Sequence, residues 1–392
     1  MINNVFFQAI PSMEREYDFI IYGASGYAAG YIIEAFKSEN VKLALAARDI
    51  GKIGDKAFPV YECGIDGIDE IASMTRVLIN CVGPYIHHGE SIVKSCIRNG
   101  THYMDISGEV YFFELIISKY HDEATRKGVY IINCCGFDSI PFDIGVMCLR
   151  DMFDSVEIES VIKLHNIVLS QTTWESLLMS AVNLKETMAL REKRYGQGKK
   201  RRSQRVVKKN SYQVIFRGID YSVVRRSQDL MKSVGMPSAK YFAYLDVGGR
   251  VGMIKYWFFL WLVWFFSGFT LGKWLIRTIS RFFTFGFIKK KLSFSDVRKA
   301  TFTLEIQARG EKNNEIVSKS LTISGPDPSY ITTSICLTQT AVVFLHALNQ
   351  RARGTGITLF RGGVITPACV LYNTDIVQRL ASKGVRFEFK EG

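Results

Sequence analysis

The sequence lacks the cysteine and histidine spacings that metal sites and disulfide frameworks require. Its eight cysteines include no Cys-x-x-Cys pair, and Cys134 and Cys135 are merely adjacent. Several cysteines lie inside apolar strand-like or helix-like runs, which indicates reduced, buried thiols in a protein that faces the cytosol. We therefore predict no metal site and no disulfides. The N-terminus also lacks a basic segment ahead of an apolar run, so we do not expect a cleaved secretory signal.

Acidic residues are scarce where the cations are densest. The formal net charge is +13 at pH 7, and residues 199–209, KKRRSQRVVKK, contain seven cations and no acid. Lys289, Lys290 and Lys291 form a second basic cluster. Such runs are typical of nucleic-acid arms, of contacts with anionic membranes or of solvated loops. The first run contains no aromatic residue and no nucleic-acid-binding motif accompanies it, so we expect no nucleic-acid partner.

The first third of the chain alternates between strand-like and helix-like segments. Strand-like runs occur at 17–22, 41–46, 76–82, 102–105 and 129–134, and helix-like stretches at 27–38, 89–99 and 112–127. This alternation predicts an α/β fold with a Rossmann-type, doubly wound parallel sheet. The predicted domains are residues 1–150, the Rossmann domain; 151–328, a second α+β domain with a basic loop at 199–209 and a hydrophobic segment at 254–274; and 329–392, a C-terminal helix and tail that pack back on the Rossmann half.

The turn after the first strand-like run is the most informative segment. The run Tyr17–Tyr22 leads through a glycine turn into a helix-like stretch, YDFIIYGASGYAAG. In a dinucleotide-binding unit, Gly23 would make the tight turn and Gly26 would let the backbone approach a diphosphate held by helix amides. The predicted diphosphate contacts are Gly23, Ala24, Ser25, Gly26 and Tyr27. Ala29 stands in place of a third glycine, and a purely structural glycine turn is the alternative.

The end of the second strand-like run favours NADP over NAD. The run Val41–Ala47 ends in Arg48, and no acidic residue stands where an acceptor for the ribose 2′-hydroxyl would lie. Arg48 offers a planar fork of donors to a 2′-phosphate, and Lys52 could add a second positive charge. Asp49 leaves open the alternative that Arg48 is only an exposed ion-pair partner.

Ligands of such sheets lie beyond the carboxyl ends of the strands, so we examined the residues that follow each run. After the third run, Val82, Gly83 and Pro84 are predicted to line the nicotinamide ribose side of the cofactor. Tyr85 follows them and is one of two candidates for proton transfer. His87 and His88 share this loop, but paired loop histidines are more often simply exposed.

Asp105, after the fourth run, is the other catalytic candidate. A structural alternative is that Asp105 caps the following turn and that Glu109 begins the next helix, where its charge is favourable. Asp138 and Ser139, after the fifth run, could line the same site, although capping of the helix that starts near Pro141 also explains them.

Several strings resemble, in order and spacing, the saccharopine dehydrogenase-like oxidoreductases: GASGY, AARD, NCVGPY followed by HGE, NGTHYMDISGE and CCGFDSIPFDIG. The resemblance covers about residues 17–150, and TTWESLLMSAVNL, residues 172–184, is similar to a helix of the family's second domain. It implies an NADP-type Rossmann domain and an oxidoreductase without an established substrate. It does not imply saccharopine chemistry, because we can place no basic groups for an amino-dicarboxylate. Gln171 departs from the glycine usual in the family.

The most hydrophobic stretch is YWFFLWLVWFFSGFTL, residues 256–271, between Lys255 and Lys273. As a helix it would reach about 24 Å, which is short of the roughly 30 Å core of a bilayer. Tryptophans and flanking cations favour an embedded hairpin or an interfacial segment, and a buried core helix is the alternative. Lipid-droplet association is also what the animal branch of the family, which is similar to bacterial trans-acting enoyl reductases, implies.

These patterns together predict an NADP-dependent oxidoreductase with a small, lipid-like substrate, located on a lipid droplet or membrane surface that faces the cytosol. The alternative is a non-catalytic droplet or membrane adaptor that retains the fold. The sequence leaves a homodimer open.

Overall fold

The computed structural model describes residues 14–171, 174–176, 183–196, 207–208, 211–216, 218–267, 288–289, 292–353 and 359–391. The chain forms two compact units. The first comprises residues up to 107, 115–136 and 333–380, and the second comprises 108–114, 137–332 and 381–392. Each unit is therefore assembled from separate stretches of the chain. The domain ranges given above stay a prediction.

The described strands are β1 (Tyr17–Tyr22), β2 (Leu43–Ala47), β3 (Val60–Glu62), β4 (Thr75–Asn80), β5 (His102–Asp105), β6 (Tyr130–Ile132), β7 (Ser155–His165), β8 (Leu169–Ser170), β9 (Val207–Lys208), β10 (Tyr212–Ile215), β11 (Ala239–Gly248), β12 (Ile288–Lys289), β13 (Thr301–Lys312), β14 (Glu315–Pro326), β15 (Gly363–Val364) and β16 (Arg386–Glu391).

The described α-helices are α1 (Tyr27–Phe36), α2 (Ile68–Met74), α3 (Tyr85–Asn99), α4 (Val110–Lys127), α5 (Ile140–Arg150), α6 (Leu184–Tyr195), α7 (Asp220–Ser233), α8 (Arg250–Ser267), α9 (Phe294–Lys299), α10 (Thr333–Ala352), α11 (Pro367–Val370) and α12 (Ile376–Ser382). Short 3₁₀ turns span Ile50–Lys52 and Ile65–Gly67, and a π-helical turn spans Pro328–Thr332.

The first unit is built on a seven-stranded sheet in the order β15-β6-β5-β4-β1-β2-β3, in which every strand pair is parallel. Strands of such sheets are covered on both faces, which is why runs such as Leu43–Ala47 are buried along their whole length. The order reverses between β1 and β4, the switch point at which nucleotides bind in Rossmann folds. The predicted Rossmann-type α/β fold is confirmed.

Helix α10 belongs to the core of the first unit. Its Gln339 donates a hydrogen bond to Glu39, which follows α1, at 2.8 Å. Among the described residues, the segment Pro328–Ala352 is the one helix long and apolar enough to cross a membrane, yet 67% of its apolar 18-residue window is buried inside the protein. Its apolar side chains are therefore used for packing.

The second unit contains a seven-stranded sheet in the order β16-β14-β13-β7-β11-β10-β9. Its pairs are antiparallel except for β7 with β11. Strands β13 and β14 form a hairpin and join through Asn313 and Asn314, which both adopt positive φ, at 52° and 65°. Asparagine tolerates this conformation, which a two-residue hairpin turn of this type requires.

Several predicted segments fall partly outside the described residues. The basic run 199–209 is described only at β9, and Lys290 and Lys291 of the second cluster are not described. The hydrophobic segment 254–274 is described as part of α8 up to residue 267. The stretch 172–184 is described at 174–176 and from 183 onward.

Candidate functional site at the carboxyl ends of the parallel strands

Gly23 makes the turn after β1 in a conformation that favours glycine. Its φ is +86°, and its amide donates to the carbonyl of Ala46 at 2.8 Å. A Cβ atom at this position would lie 2.6 Å from Cγ2 of Val82, so a side chain would collide with the loop after β4. The structure thus brings together two segments that the sequence analysis assigned separately to the cofactor.

Helix α1 begins at this turn with its amide end open. Gly26 occupies the N-cap position and no side chain caps the helix. Ser25, Gly26 and Tyr27 are exposed, whereas Ala24 is buried beneath them. The first amides of a helix have no acceptor within the helix, and together with the helix dipole they favour an anion. The predicted diphosphate contacts therefore form a backbone cradle that fits a diphosphate.

Arg48 is exposed directly after β2, beside this cradle. Asp49 does not pair with it: the Asp49 carboxylate forms an ion pair with Lys52 at 2.8 Å and accepts a hydrogen bond from the Gly51 amide at 3.1 Å. The bond from Lys52 lowers the pKa of Asp49 below its usual value. Among the described residues Arg48 has no hydrogen bond or ion pair, so its guanidinium is available to a ligand, whereas Lys52 is already partly neutralised.

The loop after β4 is held by Asn80, a fully buried residue that the sequence analysis did not single out. Its side-chain oxygen accepts from the Val82 amide at 2.9 Å, and its side-chain nitrogen donates to the Tyr103 hydroxyl at 3.0 Å. Its backbone carbonyl accepts from the Tyr85 hydroxyl at 3.2 Å. These bonds fix the loop that contains Val82, Gly83 and Pro84. The signal available in the sequence was an amide side chain at the last position of an apolar strand.

Asp105 is buried completely at the end of β5. One carboxylate oxygen accepts from the Tyr103 hydroxyl at 2.9 Å and from the Asn133 side chain at 2.7 Å. The other accepts from the amides of Ser107 at 3.0 Å and Cys134 at 2.8 Å. Burial raises the pKa of Asp105, and these four hydrogen bonds oppose the rise. Asp105 therefore joins the ends of β5 and β6.

Both predicted catalytic groups, Asp105 and Tyr85, are engaged in hydrogen bonds inside the first unit. Tyr85 is only 6% exposed, and its hydroxyl is directed at the Asn80 carbonyl. The geometry gives each of them a role in holding the strand ends, and their catalytic roles stay a prediction. His87 and His88 lie exposed in the first turn of α3.

The remaining candidates lie in the second unit. Glu109 is buried and accepts a hydrogen bond from Ser176 at 3.5 Å. Ser139 takes the N-cap position of α5 without a side-chain cap, and its hydroxyl is buried without a partner among the described residues. Asp138 precedes Ser139 in the chain, and desolvation by the surrounding protein raises the pKa of its carboxyl to about 6. Among the described residues, no group of three or more His, Cys, Asp or Glu could hold a metal ion.

Comparison with known proteins agrees with this geometry. Residues 20–132 match the sequence profile of the saccharopine dehydrogenase NADP binding domain. A saccharopine dehydrogenase-like oxidoreductase of Rattus norvegicus is 30% identical over a gapped alignment of 429 residues. The alignment covers 95% of this chain and 97% of that protein. A lipid droplet localized protein of Caenorhabditis elegans is 27% identical over 444 residues, 95% of this chain and 98% of that protein. A trans-acting enoyl reductase of Mycobacterium ulcerans is 33% identical over 151 residues, 35% of this chain and 36% of that protein.

Proposed function

Because the chain belongs to the saccharopine dehydrogenase-like oxidoreductases and contains their NADP-binding domain, we propose that it reduces or oxidises a lipid-like substrate at a membrane or lipid-droplet surface. The observation that carries this proposal is an exposed apolar face on α8. In the proposed reaction NADP(H) supplies or accepts the hydride.

Different groups of the first unit would bind different parts of the cofactor. The open end of α1 and the glycine turn would hold the diphosphate through backbone amides. Arg48 would bind the 2′-phosphate through its planar fork of donors, which a carboxylate at this position could not do. The loop of Val82, Gly83 and Pro84, fixed by Asn80, would border the nicotinamide ribose. Because this loop is bonded in advance, it would need little ordering on binding.

The aromatic face of α8 is formed by side chains at helical spacing, each between 47% and 68% exposed. It consists of Val251, Ile254, Trp257, Phe258, Trp261 and Phe265. The rings of Phe258, Trp261 and Phe265 stack in series, with centroids 6.1 and 5.5 Å apart. On another face of the helix, the ring of Phe259 packs against the buried Trp174, with the ring centroids 5.6 Å apart. One face of α8 is therefore attached to protein and another is left to solvent.

A lipid surface suits this face better than water does. Contiguous exposed apolar surface is rare in soluble proteins and marks sites of interaction. Helix α8 contains two cations, Arg250 and Lys255, and no acid. Aromatic side chains together with flanking cations are typical of helices that lie in the membrane interface. The names of the worm and mycobacterial relatives also support a lipid surface and a lipid-like substrate.

The test combines cofactor turnover with membrane binding. Oxidation of NADPH is followed by its absorbance while vesicles present enoyl or carbonyl lipids, and flotation on a density gradient measures vesicle binding. We expect lipid-dependent oxidation of NADPH in preference to NADH and co-flotation of the protein with vesicles. Absence of lipid-dependent NADPH oxidation, or absence of flotation with the vesicles, would overturn the proposal.

A second candidate, a droplet or membrane adaptor without turnover, is favoured by the internal hydrogen bonds of Asp105 and Tyr85. An adaptor would bind NADPH and float with vesicles but would leave NADPH unoxidised across the panel of lipids. The same experiment therefore separates the two candidates.

A further inference from the structure

A polar cavity of about 340 Å³ lies in the second unit between α7 and the start of β11. Its walls come from one side of α7 between Tyr221 and Lys232, from Ser238 and from the first four residues of β11. Small-molecule sites begin at about this volume. None of its residues belongs to the sequence motifs described above, and it lies wholly within one unit.

Positive charge dominates the lining of this cavity. Arg225, Lys232 and Lys240 line it, and Asp229 is the one acidic residue among the lining residues that the structure describes. Lys232 and Lys240 are exposed, and neither forms an ion pair with a described residue. Cations grouped in a concave surface raise the local concentration of anions. The cavity is therefore suited to an anionic ligand.

Two buried atoms in the lining have no hydrogen-bond partner. Gln228 is 5% exposed, and its side-chain oxygen accepts from the Ala239 amide at 2.8 Å, which fixes the orientation of the side-chain amide. Its Nε2 atom, a donor, has no partner among the described residues, and neither has Oδ2 of Asp229, an acceptor. Buried polar atoms without a partner destabilise the folded protein, so a ligand that supplies the missing partners is favoured. A matching ligand would offer one acceptor and one donor.

The aromatic side of the cavity is rigid. The rings of Tyr221 and Tyr241 stack, with their centroids 6.3 Å apart and an angle of 22° between their planes. The Tyr241 hydroxyl lies 2.7 Å from the Ser160 hydroxyl and donates to Asp220 at 3.2 Å. The ring is thus held in place before any ligand arrives, which reduces the cost of binding.

We propose that this cavity binds a small phosphate monoester that also bears hydroxyl groups. The phosphate accepts from Gln228 and is neutralised by the surrounding cations, and a hydroxyl group donates to Asp229. A phosphate without hydroxyls would leave Asp229 unsatisfied and close to a like charge, and an uncharged polyol would offer no counter-ion to Lys232 and Lys240. This site needs no NADP and does not rest on the proposed function.

Calorimetry on the full chain tests the site with sn-glycerol 3-phosphate, inorganic phosphate and glycerol. We expect sn-glycerol 3-phosphate to bind about tenfold more tightly than inorganic phosphate, because one further hydrogen bond to a charged group is formed. Glycerol should give no heat. Absence of heat with sn-glycerol 3-phosphate, or equal affinity for the two phosphates, would overturn the proposal.

The variant Gln228→Glu is the sharpest test. It keeps the oxygen that accepts from Ala239, removes the donor and adds a negative charge, so affinity should fall by about tenfold or more. Lys299→Gln lowers the net charge by one unit, as Gln228→Glu does, on an exposed residue of α9 that does not line the cavity, and should leave affinity unchanged. A Gln228→Glu protein that melts like the parent and binds equally well would contradict the site.

A competition experiment with lipid vesicles distinguishes a lipid headgroup from a free metabolite as the source of the phosphate. Vesicles of phosphatidylcholine that contain phosphatidylinositol 4-phosphate, which is a phosphate monoester on a hydroxylated ring, are added to the complex with sn-glycerol 3-phosphate. Displacement by the vesicles, absent with phosphatidylcholine alone, supports the cavity as a headgroup site. Retention of the soluble compound supports it as a site for a free metabolite.

Discussion

The two units use apolar helices in opposite ways. Helix α10 of the first unit is apolar enough to cross a membrane but is mostly buried inside the protein. Helix α8 of the second unit exposes its aromatic face, with Trp261 51% exposed. Apolar composition alone would rank α10 as the membrane candidate. Exposure reverses that ranking, because a side chain that is already packed has nothing to gain from lipid.

The polar side chains at the strand ends of the first unit also differ from those at the cavity of the second unit. At the strand ends of the first unit, Asn80 and Asp105 satisfy their side chains with neighbours in the same unit. In the second unit, Asp220, Gln228 and Asp229 each leave a buried atom without a partner among the described residues. The first unit also contains buried atoms without a partner among the described residues, in Asn133, Thr338 and Thr340, so the contrast holds for these particular side chains and not for the units as wholes. The second unit exposes the aromatic face of α8 and contains the cavity with the unsatisfied atoms of Gln228 and Asp229. Both features are suited to binding an external partner.

The largest effect that we expect is a loss of stability when a buried valine is replaced by aspartate. An exposed valine serves as the matched control. Val343 in α10 is 3% exposed, and Val251 in α8 is 66% exposed. Val343→Asp buries a carboxylate without a partner and should lower the free energy of unfolding by about 3 kcal/mol or more. Val251→Asp should change it by no more than about 0.5 kcal/mol. Denaturant unfolding followed by circular dichroism checks both, and equal losses would remove the contrast between the helices.

Membrane binding should depend on Trp261. The substitution Trp261→Glu removes the central ring of the stack and places a negative charge on the aromatic face, so vesicle affinity should fall by about tenfold or more. Met188→Glu is the matched control, because Met188 is a similarly exposed apolar residue, on α6 of the same unit. Flotation measures both proteins. Undiminished flotation of Trp261→Glu would mean that the aromatic face does not contact lipid.

The preference for NADPH over NADH tests the role of Arg48 in the first unit. Arg48→Ala should weaken NADPH binding by about tenfold or more, because charge-assisted hydrogen bonds to the 2′-phosphate are lost, and should leave NADH binding unchanged. Lys52→Ala should have a smaller effect, since Lys52 is paired with Asp49. Fluorescence titration with both coenzymes measures the affinities. An unchanged NADPH affinity in Arg48→Ala would remove Arg48 from the cofactor site.

One buried group in each unit should make stability respond to pH, and the two groups should act with opposite signs. Burial lowers the pKa of His102 in the first unit to about 3, with the charges of Arg76, Arg351 and Arg15 adding to the effect. Its unfolded pKa is near 6.5, so the stability that it contributes is present above pH 6.5 and is lost as the pH falls. Burial raises the pKa of Asp220 in the second unit to about 8. Its contribution is present below about pH 4 and is lost as the pH rises toward 8.

Two variants isolate these slopes between pH 5.5 and 6.5. His102→Gln should make stability rise less steeply with pH, and Asp220→Asn should make it rise more steeply, each by about 1 kcal/mol per pH unit. Denaturant midpoints at several pH values measure the change. Slopes that move in the same direction in both variants would contradict the assigned protonation states.

The first unit could be predicted largely from its sequence, because its strands are buried apolar runs and its turns contain glycine. The runs at 17–22 and 102–105 correspond to β1 and β5. Strand β15 was missed because it is two residues long and pairs with β6, more than 200 residues earlier in the chain. Asn80 was missed because its role depends on three hydrogen bonds that only the folded strand ends bring together.

Much less of the second unit could be predicted. The β13–β14 hairpin was visible because its strands alternate and its turn is local. The parallel pair of β7 with β11 joins residues 156 and 239, a separation that no local pattern encodes. The cavity beside α7 was equally hidden, since Gln228 and Asp229 are ordinary helix residues until packing removes their access to water.

The route of the chain has a consequence for biosynthesis. Residues 333–380 complete the first unit, and β16 then joins the edge of the second unit's sheet beside β14. A ribosome delivers these segments after nearly all of the remaining sequence has emerged. Neither unit can close during translation in the usual amino-to-carboxyl order, so both must wait for the same late stretch of polypeptide. A nascent chain stalled before residue 333 would therefore hold two incomplete cores, and it would be a natural client for chaperones that bind unpaired strands.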